Sequence, residues 1–266
     1  MHTYDIDWRD IPVFICNRNN LDRGFKRLVD WLLSVGMKSV TVVDNQSSYP
    51  PLLEFYAKQE GIAIDVQSVN VGPRGWWALG KHEGILTPYI YTDCDVVPSA
   101  DCPNDIIEKM LGVLRLQEDG RKVGVSLRTD NLPDHFSKKE MVIKWESAFW
   151  NPARKVEPAP NGVEVFNADV DTTFAMYHPQ QGFTYTGLRT DAPYSFEHIP
   201  WYSDDANPTD EDNFYREHYE TAHEGGQMWK TDRGGFALYG WNVRSKASME
   251  ETFKVRGIPL DGQPRW

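Results

Sequence analysis

The chain reads as an α/β fold, a mostly parallel sheet flanked by helices with a mixed, loop-rich second half, and three observations predict it. Short β-branched runs alternate with amphipathic helical stretches from about residue 10 to residue 128, and crossovers of that kind return each strand parallel to the last. Polar residues close these runs, which puts candidate ligand groups at the carboxyl ends of the strands, where open α/β sheets bind small molecules. The run at 89–92 (YIYT) ends in two aspartates one residue apart, Asp93 and Asp95, before Pro98 blocks regular continuation.

Residues 11–16 (IPVFIC) are of strand type, and Asn17-Arg18-Asn19-Asn20 breaks them. Leu21, Phe25, Leu28, Val29 and Leu32 then recur at helical spacing, with Asn20 placed to cap the helix and Gly36 to stop it. Residues 39–43 (SVTVV) form a second strand that ends at Asp44-Asn45-Gln46-Ser47-Ser48, and Pro50-Pro51 opens a helix to about residue 59. A third strand is predicted over 62–66, followed by the turn Asn70-Val71-Gly72-Pro73-Arg74-Gly75 and a helix over 76–84 that leads into the 89–92 strand. A helix over 104–117 and a strand over 122–127 complete the first half. Beyond it, 138–149 reads as a helix, and 163–166 and 172–177 as strands of a mixed extension to the sheet. From 182 to 235 the chain is polar, aromatic and punctuated by Pro193, Pro200 and Pro208. Tyr194, Phe196, Trp201, Tyr202, Phe214 and Tyr215 favour an ordered loop there, and long irregular stretches in compact domains are usually functional or disordered. No internal repeat, low-complexity tract or interdomain linker divides the 266 residues, so a single domain, 1–266, is expected.

The formal charge of −11 argues against broad phosphate-backbone binding, which needs a clustered basic face. Three cysteines, Cys16, Cys94 and Cys102, without a C-x-x-C pair indicate neither a disulfide framework nor a zinc cluster. The opening MHTYDIDWRD lacks the apolar core of a signal peptide. No apolar run reaches the roughly 18–20 residues that span a bilayer. A cytoplasmic protein with no integral membrane segment is expected; its oligomeric state is not readable.

An extended backbone sends residues i and i+2 to the same side, so Asp93 and Asp95 would offer hard oxygen ligands to one divalent cation. The alternative is a solvated acidic turn. Spacing alone does not choose, because Asp5-x-Asp7, Asp169-x-Asp171 and Asp210-x-Asp212 share it; the Asp93 pair alone follows a strand with a βαβ pattern upstream. Asp44 closes a β-branched strand, where a carboxylate accepts from a nucleobase N–H and the turn after it offers backbone donors. Arg74 stands in a Gly-Pro-Arg-Gly turn within reach of a phosphate or base, and Asn17 and Arg18 end the first strand beside them.

The ordered set Ile15-Cys16-Asn17-Arg18, Val43-Asp44-Asn45-Gln46-Ser47-Ser48 and Thr92-Asp93-Cys94-Asp95 resembles the nucleotide-sugar glycosyltransferases of the GT-A fold, especially bacterial and phage enzymes like the large inverting family 2. The resemblance covers about residues 10 to 130, which it makes the nucleotide-sugar-binding half of a GT-A type, Rossmann-like domain; residues 131–266 would hold the acceptor and a C-terminal loop. It implies that Asp44 binds the base of the donor, that Asp93 lies near its ribose or sugar, and that Asp95 ligates Mn²⁺ or Mg²⁺ on the diphosphate. Asn17, Arg18, Asn45 and Arg74 complete the implied donor pocket, with a UDP-sugar favoured. Two departures are plain: Gln46 stands where many relatives have glycine, and the usual Asn-x-Gly-x-x-x-Ala-Arg segment is shortened to Asn70-Val71-Gly72-Pro73-Arg74-Gly75.

In that fold a further metal ligand often comes from a C-terminal histidine, and His198 in Phe196-Glu197-His198-Ile199-Pro200-Trp201-Tyr202 is the candidate, neutral imidazole being a good ligand for such ions. An inverting transfer needs a base for the acceptor hydroxyl; Asp169 and Asp171 are candidates, with Glu146 behind them. Trp76, Trp77 and Trp201 are expected in the core or as a sugar platform. Asp204-Asp205 and Asp210-Glu211-Asp212 read as a solvated lid or part of one, hinged at Gly225-Gly226 and Gly234-Gly235, and His198 with its neighbours is expected on a loop that closes over bound donor. The expected function is metal-dependent transfer of a sugar from a nucleotide-diphosphate donor to a glycan, small-molecule or modified-nucleobase acceptor, inverting by resemblance. Two alternatives stay open. A nucleotidyltransferase acting on a sugar phosphate would normally carry a Gly-rich N-terminal loop where this chain has Cys16-Asn17-Arg18-Asn19-Asn20. A non-catalytic carbohydrate-binding protein would account for the tryptophans but not for the strand-end carboxylates.

Overall fold

The computed structural model describes residues 4–68 and 70–218. Strand β1 (Val13–Asn17) leads to helix α1 (Phe25–Ser34), β2 (Val40–Asp44) to α2 (Pro50–Lys58), and β3 (Ala63–Val66) through the short α3 (Gly75–Ala78) to β4 (Tyr89–Asp93). Next come β5 (Val96–Pro98), α4 (Ile106–Arg115), β6 (Lys122–Gly124), β7 (Ser126–Leu127) and α5 (Lys139–Ser147). The second half adds β8 (Val165–Asp169), β9 (Ala175–Tyr177), β10 (Thr186–Thr190), β11 (Ser195–His198) and α6 (Asp210–His218). Helix α1 forms where the apolar spacing predicts: Phe25, Leu28, Val29 and Leu32 are buried, while Lys26 and Asp30 on the other face pair through solvent-exposed side chains. Burying each such side chain contributes about 1.5–3 kcal/mol, which fixes how the helix lies on the sheet.

The main sheet has eight strands in the order β3-β2-β1-β4-β9-β6-β10-β8. Its first four strands are mutually parallel and aligned so that Asn17 lies beside Asp44 and Cys16 beside Asp93. That register brings the polar strand ends to one edge. The fold is therefore the expected α/β class, but its centre differs from the expected extension: β9 inserts antiparallel between β4 and β6. Strand β10 is parallel to β6, and β8 closes the far edge antiparallel to β10. A small sheet, β5-β11-β7, was not foreseen. The single strand expected over 122–127 divides at Val125, whose N–H bonds to Phe174 O, so that β6 and β7 enter different sheets.

The stretch from 182 is less irregular than its composition suggests. Up to residue 218 it holds β10, β11 and α6; residues 219–235, with both glycine pairs expected as hinges, lie outside the described residues. The Asp210-Glu211-Asp212 run is not a solvated lid but the first turn of α6, where acidic side chains suit the positive end of the helix dipole. Glu211 is buried and accepts from the backbone N–H groups of Leu21 and Asp22, each at 2.8 Å, and Asp212 pairs with Arg23 at 3.1 Å. Trp76, Trp77 and Trp201 are all buried, so none is a surface platform. Trp76 and Trp77 join Tyr89, Tyr91 and Tyr177 in an aromatic cluster on one sheet face, where Trp77 Nε1 donates to Tyr89 Oη at 2.9 Å. Among the described residues no helix is long and apolar enough to cross a membrane.

Candidate active site

The parallel strands deliver Asn17, Asp44 and Asp93 to one edge, and the surrounding loops decide what each can do. Asp44 is 2 % exposed, and both its oxygens have partners: Ser47 N–H at 2.8 Å and Tyr56 Oη at 2.9 Å. Burial and the Asp44 charge push the Tyr56 phenol well up, so it stays a donor. Asn17 donates to Tyr56 Oη at 2.9 Å and to Asn20 O at 3.0 Å, which makes Asn17, Tyr56 and Asp44 one buried network. Arg18 Nη1 bonds to Asn45 O at 2.5 Å and bridges the β1 and β2 ends. Asn45 turns inward, its amide donating to Gly72 O at 3.4 Å and accepting from Val71 N–H at 3.3 Å, and so holds the turn that carries Arg74. Gln46 takes φ 58°, the left-handed conformation in which glycine carries no penalty.

Asp93 ends β4, but Cys94 and Asp95 form a turn before β5, so strand alternation does not set the relation of the two carboxylates. Asp93 Oδ2 accepts from Thr172 Oγ1 at 2.5 Å, and its N–H bonds to Thr172 O at 2.8 Å. Burial, then the neighbouring Asp95 charge, raises the Asp93 carboxyl well above the usual range, against the lowering effect of Thr172. Asp95 is 3 % exposed, and its Oδ1 has no hydrogen-bond partner among the described residues. His198 Nε2 lies 3.8 Å from that oxygen. Two backbone contacts hold Asp95. Its carbonyl accepts from Ile199 N–H at 2.9 Å, and Gly24 packs on it so tightly that a Cβ would stand 2.8 Å from Asp95 Cα. Gly24 also takes φ 129°, so both its conformation and the close approach require glycine.

His198 is a strand residue, not part of the loop expected around it. Strand β11 pairs antiparallel with β5, placing His198 opposite Val96, one residue beyond Asp95. The imidazole packs edge-on against Trp201 with centroids 4.8 Å apart, and burial lowers its pKa, which keeps it neutral. Asp95 and His198 thus meet, whereas Asp93 turns to Thr172; among the described residues no three His, Cys, Asp or Glu side chains converge as a preformed metal site. A buried carboxylate oxygen without a donor beside a neutral imidazole nevertheless fits a divalent cation whose remaining ligands come from elsewhere.

Next to Thr172, which holds Asp93, Asp171 pairs with Arg74 at 3.1 Å. Arg74 also bonds to Tyr185 Oη and stacks over the rings of Phe183 and Tyr185 at 4.7 and 4.9 Å. Asp169, the other candidate base, ends β8, and its carbonyl accepts from Arg189 Nε at 2.8 Å. Glu146 is not near the acceptor side as a base; it is buried in an ion pair with Arg189 at 2.7 Å. Sequence reading missed Tyr56, Thr172, Tyr185 and Lys122. Tyr56 carried a usable signal, since it lies one turn after Leu52 on the inner side of α2; the others depend on long-range pairing.

Fold and geometry define a class: a mixed α/β protein with an acidic site at the carboxyl ends of its parallel strands. No protein-family model matches the chain, and no curated protein matches it. Among solved structures it is similar to a mannosyltransferase from Pyrobaculum calidifontis in complex with GDP-Man and Mn²⁺, at 13 % identity and a TM-score of 0.45, covering 81 % of this chain and 63 % of that one. It is also similar to residues 1–349 of S. aureus TarS, at 9 % identity and a TM-score of 0.40, over 80 % of this chain and 63 % of that one. Glucosyl-3-phosphoglycerate synthase from Mycobacterium tuberculosis, in complex with Mn²⁺, UDP-Glc and phosphoglyceric acid, aligns at 10 % identity and a TM-score of 0.38, over 65 % of this chain and 57 % of that one. The chain spans less than two thirds of the length of each of these proteins.

Proposed function

We propose that this protein is a metal-dependent glycosyltransferase of the GT-A type that moves a sugar from a nucleotide-diphosphate donor to an acceptor hydroxyl with inversion. The observation that carries the reading is Asp95: a buried carboxylate at the carboxyl edge of parallel strands, with one oxygen lacking a hydrogen-bond donor among the described residues and facing His198. Asp95 and His198 hold Mn²⁺ or Mg²⁺, and a cation there supplies the charge that stabilises a departing diphosphate. Asp44, Asn17, Arg18 and Asn45 shape the base pocket, with UDP favoured, and Asp93 lies toward the ribose or sugar. Asp171, part-exposed beside Thr172, removes the proton of the acceptor hydroxyl, and its pairing with Arg74 keeps it aimed until the acceptor enters. Asp169 is the second candidate for that role. The acceptor is a glycan, a small molecule or a modified nucleobase.

The chain acts as one domain, with residues 10–130 binding donor and 131–266 binding acceptor; the insertion of β9 between β4 and β6 supports this by making the halves share one sheet. The free thiols of Cys16, Cys94 and Cys102 support a cytoplasmic setting. The test is a panel of nucleotide sugars scored by thermal shift with and without Mn²⁺, followed by assay of nucleoside diphosphate release. Stabilisation by a nucleotide sugar only with metal, and release of its nucleoside diphosphate, is the expected result. Pyrophosphate release indicates nucleotidyl transfer, and undiminished turnover in excess chelator removes the metal from the reading.

A further inference from the structure

Lys122 is the first residue of β6 and is 0 % exposed, an unusual place for an ammonium group. Its Nζ donates to Tyr177 Oη at 2.8 Å and to the main-chain carbonyl of Asp171 at 3.1 Å. The same nitrogen lies 4.7 Å from the ring centroids of both Tyr177 and Phe183. A cation enclosed by two aromatic faces and two oxygens is well served, yet it costs more to bury than an apolar side chain of the same length.

The contact at Asp171 matters because of what residues 171 and 172 do next. The chain leaves β8 at Asp169 and crosses the sheet face close over Gly124, where an added Cβ would stand 2.4 Å from Val170 Cγ1. Asp171 then turns its carboxylate to Arg74, while Thr172 binds Asp93 through both its hydroxyl and its carbonyl. Two residues thereby join the half-exposed acid to the strand-end acid, and the side-chain nitrogen that holds their main chain from the sheet side belongs to Lys122.

We infer that Lys122 is a positioning residue: its buried amino group hooks the main chain at Asp171 and so seats the Asp171–Thr172 turn between Arg74 and Asp93. Lys122 touches no candidate metal ligand and lies too deep to meet a substrate; it acts through the turn. Burial lowers its pKa to about 7, against the raising effect of Asp171, with Arg189 and Arg74 lowering it further and Asp169 raising it. The kinetic consequence rests on the glycosyltransferase reading; the structural one does not.

The experiment compares wild type with Lys122→Met, which keeps the length and removes the nitrogen. Binding of UDP with Mn²⁺ is measured by calorimetry, UDP release from UDP-glucose and UDP-galactose by turnover assay, and exchange of the Asp93 amide by hydrogen exchange. The expected result is UDP–Mn²⁺ affinity within threefold of wild type, UDP release down at least thirtyfold, and Asp93 amide exchange at least tenfold faster, with Tyr91 protection unchanged. Unchanged Asp93 exchange overturns the inference whatever the turnover. If wild type releases UDP from neither donor, the glycosyltransferase reading loses its support, and Asp93 exchange alone still decides the role of Lys122. Should the methionine variant not fold, Lys122→Gln, too short to reach the Asp171 carbonyl, is read by the same exchange criterion. Lys122→Arg, which restores a cationic donor, is expected to recover at least a third of the wild-type Asp93 protection; no recovery counts against a hydrogen-bonding role.

Discussion

Asp44 ends the parallel strand β2 and Asp95 lies in the turn that follows β4, and both are almost fully buried, at 2 % and 3 % exposed. Asp44 has a donor on each oxygen, from Ser47 and Tyr56. Asp95 has an oxygen with none among the described residues, and a neutral imidazole 3.8 Å away. A buried acceptor left unpartnered costs about 1–3 kcal/mol, more if charged, whereas a partnered one contributes to stability. The first aspartate is explained by the protein alone. The second makes chemical sense with a further positive ligand, and that contrast, not the D-x-D spacing, separates architecture from site.

Substituting the two aspartates should therefore give opposite signatures. The largest effect is expected for Asp95→Asn: UDP release falls about a thousandfold or more, roughly 4 kcal/mol of transition-state stabilisation. The apo protein keeps its melting temperature or gains a little, since an amide replaces a buried carboxyl group that lacks a donor on one oxygen. Loss of fold in that variant, seen by near-ultraviolet circular dichroism, would erase the contrast. Asp44→Ala should instead destabilise the fold by about 2–3 kcal/mol in urea unfolding, because Ser47 N–H and Tyr56 Oη lose their acceptor, and nucleotide affinity should weaken with it. Tyr56→Phe sharpens the same comparison at about 1 kcal/mol, since one of the two donors to Asp44 remains. If Asp44→Ala leaves stability untouched but abolishes nucleotide binding, Asp44 is a ligand group in the same sense as Asp95.

The smallest effect concerns pH. Burial and Asp95 raise the Asp93 carboxyl, so the folded state holds a proton that the unfolded state releases above about pH 3.9. Wild-type stability should decline as pH rises from there through the raised native value. Asp93→Asn removes that decline, so its advantage over wild type, followed by urea unfolding without metal, should grow with pH and then level off. Added Mn²⁺ should flatten the wild-type curve by favouring the ionised form; parallel curves for both proteins would show that Asp93 is not shifted.

Much of the first half was legible because its signals are local. The apolar spacing of Phe25, Leu28, Val29 and Leu32 gives α1, and the polar breaks at Asn17, Asp44 and Asp93 mark strand ends that the parallel register brings together. What failed was long-range. Nothing in Ala175–Tyr177 says that it enters the middle of the sheet, and nothing near His198 says that it will face Val96 across a second sheet. The acidic run at 210–212 reads as a solvated face by composition, yet Glu211 finds the N–H groups of Leu21 and Asp22, about as far away in sequence as the described chain allows. Lys122 was expected only as the first residue of a strand over 122–127. Its burial follows from Phe183 and Tyr177 closing over it, which periodicity cannot express.

The insertion of β9 also sets a hazard during synthesis. A ribosome releases β4 well before β9, and until Ala175–Tyr177 emerge one side of Tyr89–Asp93 has none of its native hydrogen bonds. That bare side belongs to an aromatic, β-branched segment, the type of surface that pairs with other chains when left open. The nascent protein thus passes through an interval in which the strand leading to its two aspartates has an open edge. Slow elongation between residues 93 and 177 lengthens that interval, and a chaperone that shields extended apolar strands has its natural target there.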